Sequence, residues 1–500
     1  MLRSTSTRTG SRVLRRALAT QASPVEISKL SNGVTVVTDP TPGHFTALGA
    51  YVNAGSRYED PQRSGLSHIW DRLAWKSTTK TSGKQMLENL SKLGGNFMCS
   101  AQRESMFYQA SVFNHDADKM FAAIAQTVRD PLVTDEELVE TLQTVDYEGG
   151  ELAAKHETLL PEVLHAAAYH ENTLGLPLYC PHERIPEIGR AEVMAYHQKF
   201  YQPYNITVAM VGIDHADAVK LAESQFGDWK ATAEHFASPE INYTGGEIAL
   251  PFQPPLYANL PELVHMQIGF ETGGLLDEDL YALATLQKLL GGGSSFSAGG
   301  PGKGMFSRLY TRVLNQYGFV ENCQAFNHSY IGSGLFGITL SCSPNAAHIM
   351  SQIICFELAA LLEKDAKKGA LNQREVSRAK NQLKSSLLMS FESRLARLED
   401  MGRQVQCHGK VTPVDEMIEK IEQLTIADLQ RVAEKVLTGK VVTNHTSSGI
   451  PAVAMQGNRG EFGDVEFILQ HFGLGQRSGP VLTQPRDFTQ PEPAKRSWFR

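Results

Sequence analysis

Apolar positions along this chain follow two periods, and the order in which they alternate occurs twice. Val34–Val37 follows a Ser31-Asn32-Gly33 turn and reads as a strand, and Thr46–Val52 reads as a second strand, apolar enough to be central in a sheet. A turn-rich loop, Asn53–Asp60, leads to helical periodicity over Ser64–Trp75 and Lys84–Leu93, the latter stopped by Gly94-Gly95. Phe97–Ala101 and Ser105–Phe113 predict a two-stranded ribbon. Asp116–Val128 predicts a helix, and a long helical segment runs from Asp135 past Glu148. Ile206–Val211 and Ala216–Phe226 add a last strand and helix.

The second half repeats that order. Val264–Phe270 predicts a strand, Thr272–Asp279 a Gly- and acid-rich loop, Leu280–Leu290 and Ser307–Gln316 helices, and Phe319–Phe326 with Gly334–Cys342 a ribbon. Asn345–Leu362 and a long stretch from Asn372 beyond Leu388 are helical. A loop of pattern G-x-x-x-E-D follows the leading strand in each half, at Gly55 to Asp60 and Gly274 to Asp279. An offset of about 215 residues and a shared element order predict an internal duplication of two α+β domains. The expected layout is a leader over 1–22, a first domain over 23–233, a Pro-rich linker over 234–262, a second domain over 263–455 and an extension over 456–500. The linker rests on prolines 239, 251, 254, 255 and 261.

Composition narrows the class. The chain has 500 residues, 42% apolar content and a net charge of -7, which disfavours nucleic acid as a partner. Six cysteines without CxxC spacing read as reduced core thiols. No apolar run reaches the roughly 18 residues of a spanning helix. The leader holds Arg3, Arg8, Arg12, Arg15 and Arg16, many Ser and Thr, and no acid before Glu26, the composition of a mitochondrial transit peptide.

Two stretches carry candidate chemistry. One is Gly291-Gly292-Gly293-Ser294-Ser295-Phe296-Ser297-Ala298-Gly299-Gly300-Pro301-Gly302-Lys303-Gly304, with seven glycines in fourteen residues. Glycine loses the most backbone entropy on ordering, so the tract reads as a mobile loop between two helices rather than packed structure. It is not a phosphate-binding loop: Gly302-Lys303 precedes Gly304 instead of Ser or Thr, and Ser297 stands where the first glycine belongs. A flexible linker is the bland alternative, although Phe296, Pro301 and Lys303 are more specific than a linker needs.

The other is the helix Gly65-Leu66-Ser67-His68-Ile69-Trp70-Asp71-Arg72. Inverted zinc peptidases carry His-x-x-Glu-His, with two ligands four apart on one helix face and a Glu acting on the bound water. Overlaying that pattern puts His68 on the first ligand, Asp71 on the base and Arg72 on the second ligand. Arginine has donors only and cannot bind a cation. Glu148, at the spacing of a third ligand, cannot hold zinc with His68 alone. The expectation is a dismantled metal site, with no catalytic residue.

On these motifs the chain resembles the inverted-zincin, pitrilysin-like family, in its processing-peptidase branch. The resemblance is carried by Ala54–Glu59, Ser67-His68 with Asp71-Arg72-Leu73-Ala74, Leu164–Tyr169, the glycine tract with Met305–Tyr310, Ser377–Leu383 and Glu399–Gln404. It implies two domains, each a mainly antiparallel sheet packed against helices. It further implies a non-catalytic α-type subunit, without cofactor of its own, that pairs with a zinc-bearing β-type subunit. The pair would remove basic presequences from precursors imported into the mitochondrial matrix, the inner-membrane face included, with the glycine tract touching the presequence. A structural core subunit of the respiratory bc1 complex, from the same family, is the alternative role. A receptor for basic presequences needs carboxylates, and the resemblance points to Glu375, Glu399 and Asp400. Arg378, Lys380, Lys384, Arg394, Arg397 and Arg403 interleave with them, as on a solvated helix face.

Overall fold

The computed structural model describes residues 25–170, 172–255, 259–296, 304–365, 369–441, 443 and 447–476. The expected leader, positions 297–303 of the glycine tract and positions 477–500 of the extension lie outside them. Each half forms a six-stranded sheet. The first contains β1 (Glu26–Lys29), β2 (Thr35–Asp39), β3 (Phe45–Val52), β4 (Asn96–Ala101), β5 (Met106–Phe113) and β6 (Ile206–Val211), in the order β1-β2-β6-β3-β5-β4. The second contains β7 (Gly246–Leu250), β8 (Val264–Thr272), β9 (Gly292–Ser294), β10 (Val320–Ser329), β11 (Gly334–Cys342) and β12 (Ala452–Gln456), in the order β7-β12-β8-β11-β10-β9.

The duplication extends to strand sense. β2 and β6 run parallel, as do β7 and β12, while the remaining neighbours are antiparallel. Thus β2-β6-β3-β5-β4 has its counterpart in β7-β12-β8-β11-β10, and β1 and β9 are the additions at opposite edges. The central strands β3 and β8 are buried almost throughout, as strands covered on both faces must be.

What covers the second face is a helix from the other half. Six helices matter here: α1 (Leu66–Leu73), α2 (Asp135–Ala154), α3 (His156–Tyr169), α4 (Leu280–Leu290), α5 (Gln373–Phe391) and α6 (Arg394–His408). One face of the first sheet, through Leu48, Ala50, Tyr108 and Val208, joins α1 and other helices of its own half in one core. Its opposite face, through Ala47, Tyr51, Phe107 and Ala209, packs on Leu398, Met401 and Val405 of α6. The second sheet mirrors this arrangement. Leu335, Ala452 and Ala454 pack on Leu160, Val163, Leu164 and Ala168 of α3.

Glycines on the two central strands let these helices approach. A Cβ on Gly49 would lie 3.2 Å from Leu398 Cδ2, and one on Gly269 would lie 3.2 Å from Leu164 Cδ2. On α6 itself, Gly402 leaves room for the Tyr51 ring, which a Cβ there would overlap. Polar ties fix the start of α6: Arg394 Nη2 donates to the Thr41 carbonyl at 2.9 Å, and Arg397 Nε to Asp39 Oδ2 at 3.1 Å.

Two expectations need correction. The Pro-rich stretch 234–262 holds β7, whose pairing with β12 makes it part of the second sheet rather than a free linker. The second domain does not stop at 455, because Phe462, Val465, Leu469 and Leu474 are buried in its core. The two long helical segments hold as α2 and α5, each followed by an extended residue, Lys155 and Ser393, before the next helix; the Ser393 hydroxyl caps α6. Both breaks let the chain turn onto the partner half's sheet. Ser307–Gln316 holds as a shorter helix over 308–314, π-type over Tyr310–Leu314.

Gly402→Ala forces the alanine Cβ against the Tyr51 ring and is expected to lower stability by about 1–3 kcal/mol. Gly149→Ala in α2 meets nothing within 4 Å and should be neutral or stabilising. Urea denaturation midpoints of the two variants check this contrast.

Candidate functional site

The helix α1 is aimed by its N-terminal end. Gly65 adopts φ 94°, and a Cβ there would collide with Cys180. The buried Glu59 carboxylate accepts the N–H groups of Gly65 and Ser67, each at 2.6 Å, which satisfies donors that a helix start leaves unpaired. Burial pushes the Glu59 carboxyl up to about 7. Trp70 then locks the helix from its other side, donating from Nε1 to the Val193 carbonyl at 3.0 Å.

So placed, α1 presents His68, Asp71 and Arg72 to Glu148 on α2. His68 is buried, and its Nδ1 accepts the Cys180 N–H at 3.2 Å. Nε2 therefore carries the proton and donates to Glu148 Oε2 at 2.9 Å. Arg72 Nε donates to the same oxygen at 2.7 Å, and its Nη1 to Asp71 Oδ1 at 3.2 Å. Asp71 in turn accepts the Ala101 N–H of β4 at 2.9 Å. These donors hold the Glu148 carboxyl down at about 2, the His68 hydrogen bond contributing most and Arg72 next. Burial raises the Asp71 carboxyl instead.

The arrangement does not fit a zinc ion. A ligand must offer a lone pair, and the one His68 retains is taken by a backbone N–H. Arg72 offers none, and its charge supplies the neutralisation that a metal would give Glu148. Among the described residues, no three His, Cys, Asp or Glu side chains converge as a metal site requires. The structure brings His68, Asp71 and Arg72 together with Glu148 through these hydrogen bonds.

The glycine tract departs from its expectation. Its first residues are packed structure: Gly292–Ser294 form β9, the edge strand paired with Asn322–Gln324 of β10. Glycine makes the pairing possible, since Gly291 and Gly292 have φ 59° and 94°, and a Cβ on Gly292 would overlap the Cys323 carbonyl. Tyr310 donates its hydroxyl to the Ser294 carbonyl at 3.2 Å, and the Gly292 N–H donates to Ser307 Oγ at 3.2 Å, so residues beyond the tract hold its entry. Phe296 is 94% exposed. Gly304, at the exit, has φ 94° and borders a cavity of about 460 Å³ between α4 and α5, walled in part by Leu289, Met305, Phe306, Gln382 and Met389.

The three candidate acids separate. Glu375 is buried in a two-point pair with Arg308, Nε to Oε2 at 3.0 Å and Nη2 to Oε1 at 2.6 Å, and also accepts the Asn372 N–H as the capping residue of α5. It is not free to meet a ligand. Its role is to fix Arg308, and through it the segment leaving the glycine tract. Glu399 and Asp400 lie on α6, packed over the first sheet and remote in sequence from the tract. The Glu399 side chain is 37% exposed, with Arg403 at 3.8 Å, while Asp400 accepts Gln404 Nε2 at 2.9 Å and is raised by burial. Arg308 was missed by sequence reasoning; its only signal was a lone cation inside the Met305–Tyr310 motif.

Glu375→Gln leaves Arg308 buried without its counter-charge and should cost about 3–5 kcal/mol, read as a lowered denaturation midpoint. Glu148 titrates with the opposite consequence to a raised acid. Its stabilisation is complete above the ordinary carboxylate range and is lost as pH falls from about 4.5 through about 2. Comparing Glu148→Gln with the parent chain, the stability difference should shrink over that window and persist at neutral pH.

Residues 34–182 match the insulinase (peptidase family M16) pattern, and residues 187–383 match the peptidase M16 inactive domain. The mitochondrial-processing peptidase subunit alpha of Neurospora crassa is 45% identical over 516 residues, covering 88% of this chain and 89% of that protein. The probable α subunit of Schizosaccharomyces pombe is 45% identical over 455 residues, covering 90% and 89%, and that of Homo sapiens 35% identical over 460 residues, covering 89% and 84%. This chain therefore belongs to peptidase family M16, the insulinase family, and is similar along most of its length to mitochondrial-processing peptidase α subunits.

Proposed function

We propose that this chain is the non-catalytic α subunit of a mitochondrial processing peptidase, recognising basic presequences that a zinc-bearing β-type subunit removes in the matrix. The observation that carries the reading is Arg72, whose guanidinium bonds Glu148 where the family's catalytic pattern places a second histidine ligand. The chain keeps the frame of an inverted zincin and supports no metal-activated water of its own. No specific observation favours the bc1 core role.

Recognition then falls to surfaces outside the Arg72 cluster. A presequence is basic on one helix face and apolar on the other. The cavity beside Gly304 offers apolar walls through Leu289, Met305 and Met389, and Phe296 and Phe306 stand exposed nearby in the chain. Glu399 and Asp400 supply carboxylate on α6. One exposed pair of this kind contributes roughly 0.2–1 kcal/mol, so selection requires several such contacts together.

Reconstitution tests the reading. Mixed with a β-type subunit, the chain should support cleavage of a presequence-bearing precursor, and alone it should neither cleave nor retain stoichiometric zinc. Excising 297–302 should lower cleavage by the pair at least about tenfold, and the double variant Glu399→Gln/Asp400→Asn should weaken precursor binding at low salt. Cleavage or stoichiometric zinc in the chain alone would overturn the proposal.

A further inference from the structure

A separate cavity of about 140 Å³ lies where the two halves meet. The β4–β5 turn and α3 close it from the first half, and the β10–β11 turn and α6 from the second. Its carboxylates are consumed. Glu104 pairs with Arg57 and accepts the Ile331 N–H at 2.9 Å; Glu162 pairs with Arg103 at 2.6 Å and accepts the Leu178 N–H at 3.0 Å. His165 is satisfied at both nitrogens, by the Pro161 carbonyl at 2.6 Å and the Tyr330 hydroxyl at 2.7 Å. His328 is kept neutral, burial lowering it to about 4.

Three donors on the wall lack an acceptor among the described residues. Ser105 is 6% exposed and its hydroxyl has no partner. The buried Nε2 of Gln406 has none either. Arg403, whose side chain is 46% exposed, has Glu399 only at 3.8 Å, beyond hydrogen-bond reach. Arg403 and Gln406 stand three apart on α6 and so share a face. A buried donor left without an acceptor costs about 1–3 kcal/mol, so the buried Ser105 and Gln406 donors call for something that accepts, and the half-exposed Arg403 adds a cation on the same wall. The volume is that of roughly five waters at about 30 Å³ each, or of one small oxyanion.

We propose that this cavity binds a small oxyanion, a carboxylate or phosphate group, held by the Arg403 guanidinium with Ser105 and Gln406. The fork of an arginine matches two oxygens of such a group, and uncharged Ser and Gln donors add bonds without adding a competing cation. Ser105 belongs to the first half and Arg403 to the second, so the bound anion bridges them and stabilises their docking.

Thermal unfolding of the full-length chain tests this. Sodium phosphate, sodium acetate, and one short acetylated peptide with either a free C-terminal carboxylate or an amide are each compared with sodium chloride at equal ionic strength. Phosphate or acetate should raise Tm by about 2–4 °C when well above Kd. The shift should vanish in Arg403→Gln and Ser105→Ala and survive in part in Arg403→Lys. A shift from the inorganic or small organic anions marks a free anion as the source, and one confined to the carboxylate peptide marks a polypeptide end. Ser105→Ala, which removes a single oxygen, keeps the test open should Arg403→Gln fail to fold. Equal shifts in the parent and the variants, or none with any ligand, would show that only water fills the cavity.

Discussion

Each half of this protein leaves one face of its sheet bare, and the other half covers it. That reciprocal exchange, α6 over β3 and α3 over β8, is the constraint on which the remaining structure depends. A sheet apolar on both faces must bury both. Three buried side chains such as Leu398, Met401 and Val405 contribute about 1.5–3 kcal/mol each, so neither helix can leave without exposing a core. The exchange also explains why Gly49 and Gly269 occupy matching places: the duplicated sheets meet the same packing problem with the same small residue.

The exchange ties the functional surfaces to the frame. The α6 residues that pack on Tyr51 belong to the helix that carries Glu399, Asp400 and Arg403, so the carboxylates of the second half are presented on the first sheet. In parallel, Glu375 holds Arg308 at the exit of the glycine tract, while Tyr310 and Ser307 hold its entry. Both roots of the tract are therefore built into the second domain.

The Arg72 cluster shows how a metal site is lost without loss of its scaffold. A divalent ion would neutralise Glu148 and orient His68. Here one guanidinium does the first, and the Cys180 N–H does the second. The helix keeps its Glu59 anchor and its Trp70 lock, so the substitution at one ligand position changes the chemistry and not the fold.

Much of this was legible in the sequence. Period-two and helical runs gave the element order and the duplication, because both depend on local side-chain spacing. The dismantled site was equally legible, since Arg72 lacks a lone pair in any fold. The short strands β7, β9 and β12 were not, because Gly246–Leu250 sits among prolines, Gly292–Ser294 has no side-chain pattern, and Ala452–Gln456 becomes a strand only through its neighbours β7 and β8. Nor could spacing show that Glu375 is spent on Arg308, 67 residues away, while Glu399 remains half-exposed. The sequence by itself determined which residues could do chemistry and which local elements they occupy. Only the tertiary structure decided which charges are consumed by partners and which helix covers which sheet, because those outcomes are set by long-range burial that no local pattern records.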